Sequence, residues 1–331
     1  MSLMSLPKAE LHLHVEGTME PELVFELAAR NRVALPFADI EDLRSRYIFE
    51  DLQSFLNLYY AAMDVLRTAA DFTDLARAYL ERAHAQGVRH VEMFFDPQPH
   101  LDRNVPIEAI VDGLRAALDE VEQAGRMTGG LILCFLRDRG AEEAGSVLRG
   151  ARSRIGSLIG VGLDSAEVGH PPAAFAQVYA EARDLGLRTV AHAGEEGPPS
   201  YVWEALDVLG VERIDHGIRS MEDPELIRRL RRDRTPLTVC PLSNVRLGAV
   251  EHLSQHPLRQ MLAENLMVTV NSDDPAYFGG YAGDNFQACE QELGLERQEL
   301  ILLAQNSINA SFASAERKSE LLTDIDAWTR G

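Results

Sequence analysis

The chain has 331 residues, 52 acidic against 32 basic side chains, and a formal net charge of −20. Its hydrophobic fraction of 46% can fill a large core, while the acidic excess argues against a nucleic-acid or anionic-membrane surface, both of which need Lys and Arg in surplus. Cys134, Cys240 and Cys289 form no CxxC pair, so neither a disulfide framework nor a thiolate zinc site is expected, and a reduced, cytoplasmic setting is.

Met1-Ser2-Leu3, ahead of a second methionine at Met4, reads as an added leader without a signal-peptide pattern. No stretch approaches the ~18 apolar residues of a membrane span. The first strand is expected at residues 9–15, followed by a helix opening at Pro21-Glu22. A long helical insert covers residues 40–86, with Leu52, Phe55, Leu58 and Tyr59 at helical spacing. Further strands are expected at 88–95, 130–136, 159–163, 188–193, 213–216, 237–240 and 267–273, separated by helical patterns such as 106–124, 173–185, 201–209 and 224–232. Eightfold alternation of strand and helix predicts an α/β fold, a (β/α)8 TIM barrel in one domain. Extra helices are inserted after the first unit, and two more close the chain from about Arg297.

The residues with chemical potential sit where strands end. His12 and His14 end the first strand, His192 the fifth, His216 the sixth, and Asp273 and Asp274 the eighth. In a barrel these ends share one rim, where active sites lie. Positions i and i+2 of a strand face the same way, so His12 and His14 can grip one ion from one side. His192 and Asp273 complete a nitrogen and oxygen set suited to Zn(II) or a similar first-row metal. Such an ion lowers the pKa of its water from about 15.7 towards ~7. Of the other histidines, His84, His90, His100, His252 and His256 read as surface or structural residues, and Tyr277 and Phe278 as rim packing.

The motifs Leu11-His12-Leu13-His14-Val15-Glu16-Gly17, His192-Ala193-Gly194-Glu195, Asp215-His216-Gly217, Cys240-Pro241-Leu242-Ser243-Asn244 and Ser272-Asp273-Asp274-Pro275 together resemble the adenosine/adenine deaminase family of the amidohydrolase superfamily. The resemblance spans nearly the whole chain. It implies one Zn2+ per chain on His12, His14, His192 and Asp273. It also implies Glu195 as proton donor to a purine ring, His216 as assistant to the attacking water, and Asp274 as a contact near N7. General-acid work requires Glu195 to be protonated when substrate binds, so a raised pKa is expected.

Residues 164–172, Asp-Ser-Ala-Glu-Val-Gly-His-Pro-Pro, bear on which purine. Adenosine deaminases carry a glycine in this loop, against purine N3; here Glu167 stands in its place. Its carboxylate would fill room needed by a ribose at N9 and accept the N9–H of a free base, with Gly169 of the same loop as a second substrate contact. This loop, and Phe94-Phe95-Asp96-Pro97-Gln98, resemble the adenine-deaminase branch. The expected substrate is therefore the small molecule adenine, with adenosine or an N6-substituted adenine as alternatives and a non-catalytic purine-binding protein as a further one. A binuclear site bridged by a carboxylated lysine is disfavoured: the fourth strand ends in Asp164-Ser165, and the chain's two lysines are Lys8 and Lys318.

Overall fold

The structure is a computed structural model, and it describes residues 2–49 and 52–331. Of the expected leader, Met1 lies outside the described residues, as do positions 50 and 51 of the helical insert. Eight parallel strands run in sequence order around a barrel: β1 Lys8–Glu10, β2 Val88–Phe95, β3 Thr128–Leu136, β4 Gly160–Asp164, β5 Arg188–Ala193, β6 Arg213–His216, β7 Leu237–Val239 and β8 Val268–Val270. The (β/α)8 reading holds, including the flanking helices.

β1 and β8 are shorter than expected. After β1, the Leu11 N–H donates to the Asn271 side chain at 2.9 Å instead of to a neighbouring strand carbonyl. Beyond that point the seam closes through isolated contacts. Asp273 N–H donates to His12 O at 3.1 Å, and His14 N–H donates to Asp273 O at 3.0 Å. The barrel is thus closed by the very segments that carry His12, His14 and Asp273.

The helices form where apolar residues recur on one face and polar groups cap the ends. Ala69–Ala85 begins at Thr68, whose backbone N–H donates to Asp71 at 2.8 Å. It packs along Ile107–Gln123, whose Ile110, Leu114, Ala117 and Leu118 are buried. Leu52–Ala62, from the insert, crosses the C-terminal mouth of the barrel. There Phe55 and Tyr59 meet Tyr277, at ring separations of 5.4 and 5.9 Å, so Tyr277 and Phe278 brace this helix.

The interior is filled in layers. Phe94, Ile132, Cys134 and Val190 pack inside the barrel. Towards its N-terminal end lies a fully buried ion pair, Arg213 Nη1 to Glu92 Oε2 at 2.6 Å, with the Arg213 guanidinium over the Phe312 ring at 4.8 Å. Phe312, from the C-terminal segment, also donates its N–H to Glu92. No helix among the described residues is long and apolar enough to cross a membrane.

Candidate active site

His12, His14, His192 and Asp273 come together at the C-terminal mouth, all buried, with one donor atom of each within 4.8 Å of the others. His14 Nε2 lies 3.2 Å from His192 Nε2, and Asp273 Oδ1 lies 3.3 Å from His12 Nε2 and 3.5 Å from His14 Nε2. A tetrahedral ion with ~2.0–2.1 Å bonds separates its donors by roughly 3.3–3.4 Å, so the spacing is that of a zinc-type set. His12 Nε2 is buried without a hydrogen-bond partner, as a lone pair meant for a cation would be. Burial holds His14 down at about 4 and His192 well below the ordinary range, leaving neutral, ligand-competent imidazoles. These residues form a single divalent-metal site of zinc type.

The far nitrogens of the rings are held from behind. His12 Nδ1 faces the Thr238 carbonyl and hydroxyl at 3.0 Å. His14 Nδ1 lies 3.5 Å from Asp164 and His192 Nδ1 3.7 Å from Asp215. Such partners fix ring orientation and raise ligand basicity. Phe94 lies beneath the cluster, 5.2 Å from both His12 and His14.

His216 and Asp273 both occupy the left-handed backbone region, at φ 61° and 65°. That costs on the order of 1–3 kcal/mol at each non-glycine position and turns the side chains inward. His216 Nε2 lies 3.4 Å from Glu195 Oε2 and 3.7 Å from Asp273 Oδ2, and Ser243 Oγ donates to Asp273 Oδ2 at 2.7 Å. Burial pushes Glu195 well above the carboxylate range, reinforced by the charges of Asp273, Glu167 and Glu196. Asp274 is likewise raised, by burial and then by Asp273 and Asp96. Gly17 makes room for it, since a Cβ there would overlap Asp274 Oδ1.

A cavity between the cluster and helix Leu52–Ala62 is lined by His14, His192, Glu195, His216, Asp273 and Asp274. Opposite them stand Asp96, Asp164, Ser165 and Tyr60, under an apolar roof that includes Phe55 and Leu56. Burial and the Glu16 charge lift Asp96 to about 8.

Two of the sequence-predicted contacts lie elsewhere. Glu167 is not part of the cavity lining; its oxygens accept the backbone N–H groups of Gly194, Glu195, Glu196 and Gly197 at 2.6–3.0 Å. The expectation that it meets N9–H is corrected accordingly, because the carboxylate is spent on the amides of that loop and does not line the cavity. Gly169 is exposed in a turn at φ 87°, with nothing within 4 Å of where a Cβ would be, and is not brought to the cavity. Sequence reasoning missed Asn244 and His256. Asn244 Nδ2 reaches His216 Nδ1 at 3.2 Å and Glu195 Oε1 at 3.4 Å, while its Oδ1 faces His256 Nε2 at 3.1 Å. Asn244 stands in the Cys240–Asn244 motif, which offered a signal; His256 stands in no motif.

Comparison with known proteins agrees with this geometry. Residues 7–328 match the family model described as adenosine deaminase. An adenine deaminase of Streptomyces coelicolor is 62% identical over 329 residues, covering 99% of this chain and 97% of that protein. The crystal structure of an adenine deaminase from Arthrobacter aurescens superposes with a TM-score of 0.97 at 55% identity, covering 98% of this chain and 99% of that one. An amidohydrolase from Burkhoderia ambifaria, solved with bound Zn, gives a TM-score of 0.90 at 26% identity, covering 99% and 93%.

Proposed function

This chain belongs to the adenosine deaminase family, and from that premise we propose that it hydrolyses adenine: adenine + H2O → hypoxanthine + NH3. The observation that carries the reading is the convergence of His12, His14, His192 and Asp273 on one point with Glu195 and His216 beside it, in a cavity closed by helix Leu52–Ala62.

His12, His14, His192 and Asp273 would hold a zinc ion, which would supply Lewis-acid activation of water. Asp273 Oδ2, held by Ser243, takes the proton that the attacking water loses. His216, between Asp273 and Glu195, orients the nucleophile towards C6. Glu195, kept protonated by its surroundings, gives its proton to N1, which makes C6 electrophilic enough for attack. Asp274, protonated for the same physical reason, donates to the N7 lone pair. Asp273 passes the proton it took to the C6 amino group, collapse at C6 expels ammonia, and the proton lost as the C6 hydroxyl becomes a carbonyl restores Glu195.

Free adenine suits the cavity better than a nucleotide. Asp96, Asp164, Glu195, Asp273 and Asp274 line it, with no lysine or arginine among the described lining residues to meet a phosphate. The close relatives named adenine deaminase support the same choice. A cytoplasmic setting is supported by three free, buried cysteines. The test is ultraviolet absorbance and ammonia release on mixing the zinc-loaded protein with adenine and adenosine in parallel. Turnover of adenine alone is expected; comparable kcat/KM for both overturns the free-base reading, and no ammonia from either overturns the deaminase.

A further inference from the structure

We infer that Glu167 is a positioning residue for Glu195: one buried carboxylate, gathering four consecutive backbone N–H groups, sets where the proton donor stands relative to the metal ligands. The inference deepens the proposed deamination and rests on that reading for the role of Glu195.

Glu167 follows β4, and its side chain crosses to the loop after β5. Gly194 N–H donates to its Oε1 at 2.6 Å, and Glu195, Glu196 and Gly197 N–H donate to its Oε2 at 3.0, 2.9 and 2.8 Å. A carboxylate is an acceptor at both oxygens; here Oε1 takes one amide and Oε2 is shared by three. Charge-assisted bonds of this kind are about twice as strong as neutral ones. Gly197 permits the approach, since a Cβ there would lie 2.5 Å from Glu167 Oε1. The carbonyl side of the loop is gripped as well: Arg219 N–H donates to Gly194 O at 2.9 Å, and its Nη1 donates to Glu196 O at 2.5 Å. Arg137, buried like Glu167, ties ligand His192 itself by donating to its carbonyl at 2.8 Å. The loop between ligand His192 and helix Pro199–Glu204 is therefore held by side chains on both faces, and among the described residues Glu167 is the side chain that collects its amides.

In E167Q the carboxamide NH2 must face at least one of those amides, donor against donor, and the loop must re-seat. Misplacing a reacting group by about 1 Å can cost ~100-fold. The experiment uses zinc-loaded wild type, E167Q, E195Q and the double variant, with adenine as substrate, and hydrogen–deuterium exchange across residues 194–197. For E167Q, a kcat about 100-fold lower, a KM within about twofold, full zinc content and faster exchange at 194–197 are expected. E167Q/E195Q should lose no more than E195Q alone, because both changes act through one acid. A rise in KM at unchanged kcat would place the carboxylate on the substrate and overturn the inference, as would independent losses in the double variant. Should E167Q fail to fold, E167D, which keeps the charge but is one methylene shorter, carries the same readouts. If wild type releases no ammonia from adenine, the functional reading fails separately; amide exchange still decides Glu167, and unchanged exchange at 194–197 overturns it.

Discussion

His12 and Asp273 are joined twice: the Asp273 N–H donates to His12 O at 3.1 Å, and the Asp273 carboxylate lies 3.3 Å from His12 Nε2. The first contact closes the barrel between its last and first strands, and the second gathers two metal donors. Metal binding and barrel closure are therefore coupled. A ligand present at 1,000 times its Kd stabilises the folded state by about 4.1 kcal/mol, so chelation should lower the Tm by several degrees and restored zinc should recover it. Calorimetry with and without chelator checks this; a Tm indifferent to metal would uncouple the two.

The elevated pKa of Glu195 sets the sign of the pH response. Burial and the neighbouring charges of Asp273, Glu167 and Glu196 keep it protonated beyond the carboxylate range. Its protonated form is the active one, so kcat/KM should be retained towards lower pH and lost as pH rises through the pKa of Glu195. E195Q cannot give up a proton and should lose about 10²- to 10⁴-fold in kcat. A wild-type alkaline limb that persists unchanged in the residual activity of E195Q would assign it to another group.

The barrel was legible because β-rich runs alternate with helical periods, and the first, fifth, sixth and eighth strand ends carry marked residues. All four metal donors could be read from this pattern, since strand alternation and a shared rim are enough to bring them together. Asp164, Asp215, Thr238 and Asn244 were not legible as supports, because their contacts depend on how neighbouring strands are offset, as in the pairing of His192 with Asp215 across β5 and β6. Glu167 shows another limit. Its loop was correctly singled out, but a four-residue run of amides converging on one point of the adjacent loop is invisible in side-chain identity, and those amides decide where the carboxylate points.

Gly17 is the close approach that seats Asp274. A methyl group there would overlap the Asp274 side chain at its Oδ1, Cγ and Cβ alike, so the carboxyl would have to move. Gly17→Ala should therefore displace the N7 contact and raise KM for adenine by about tenfold, the equivalent of one ~1.4 kcal/mol hydrogen bond. Zinc content should be unchanged. Steady-state kinetics with metal analysis checks it, and an unchanged KM would remove Asp274 from substrate binding.

The Arg213–Glu92 pair, buried at both ends, governs acid stability. Burial alone would raise Glu92, but Arg213 and His90 outweigh it and hold the carboxyl down at about 2, against an ordinary value of 4.5. A depressed carboxyl stabilises the fold above its unfolded pKa, so this contribution is complete above about pH 5 and is lost as pH falls from 4.5 towards 2. Arg213→Met removes the cationic partner of a fully buried carboxylate and should cost about 3–5 kcal/mol. Denaturant titration at neutral pH and at pH 4 checks both magnitude and sign.

A hydrogen-bond chain fixes the tautomer of His216. Leu258 N–H donates to His256 Nδ1 at 3.1 Å, so the proton of that ring sits on Nε2 and points at Asn244 Oδ1, 3.1 Å away. Burial lowers His256 to about 4, which keeps the ring neutral. Asn244 is thereby oriented with its NH2 towards His216 Nδ1, at 3.2 Å, and that nitrogen must accept. The neutral His216 ring then carries its proton on Nε2, directed at Glu195 and Asp273 where the nucleophile is steered. His256→Phe removes the group that tells Asn244 which way to face. The amide can turn its oxygen to His216, the proton moves to Nδ1, and Nε2 becomes an acceptor. Loss of such a support typically costs about 10- to 100-fold in activity. His256→Phe should therefore lower kcat by this factor with zinc content and KM near wild type, and nitrogen chemical shifts of His216 should report the exchanged tautomer. An unchanged His216 spectrum with full activity would break the chain at Asn244.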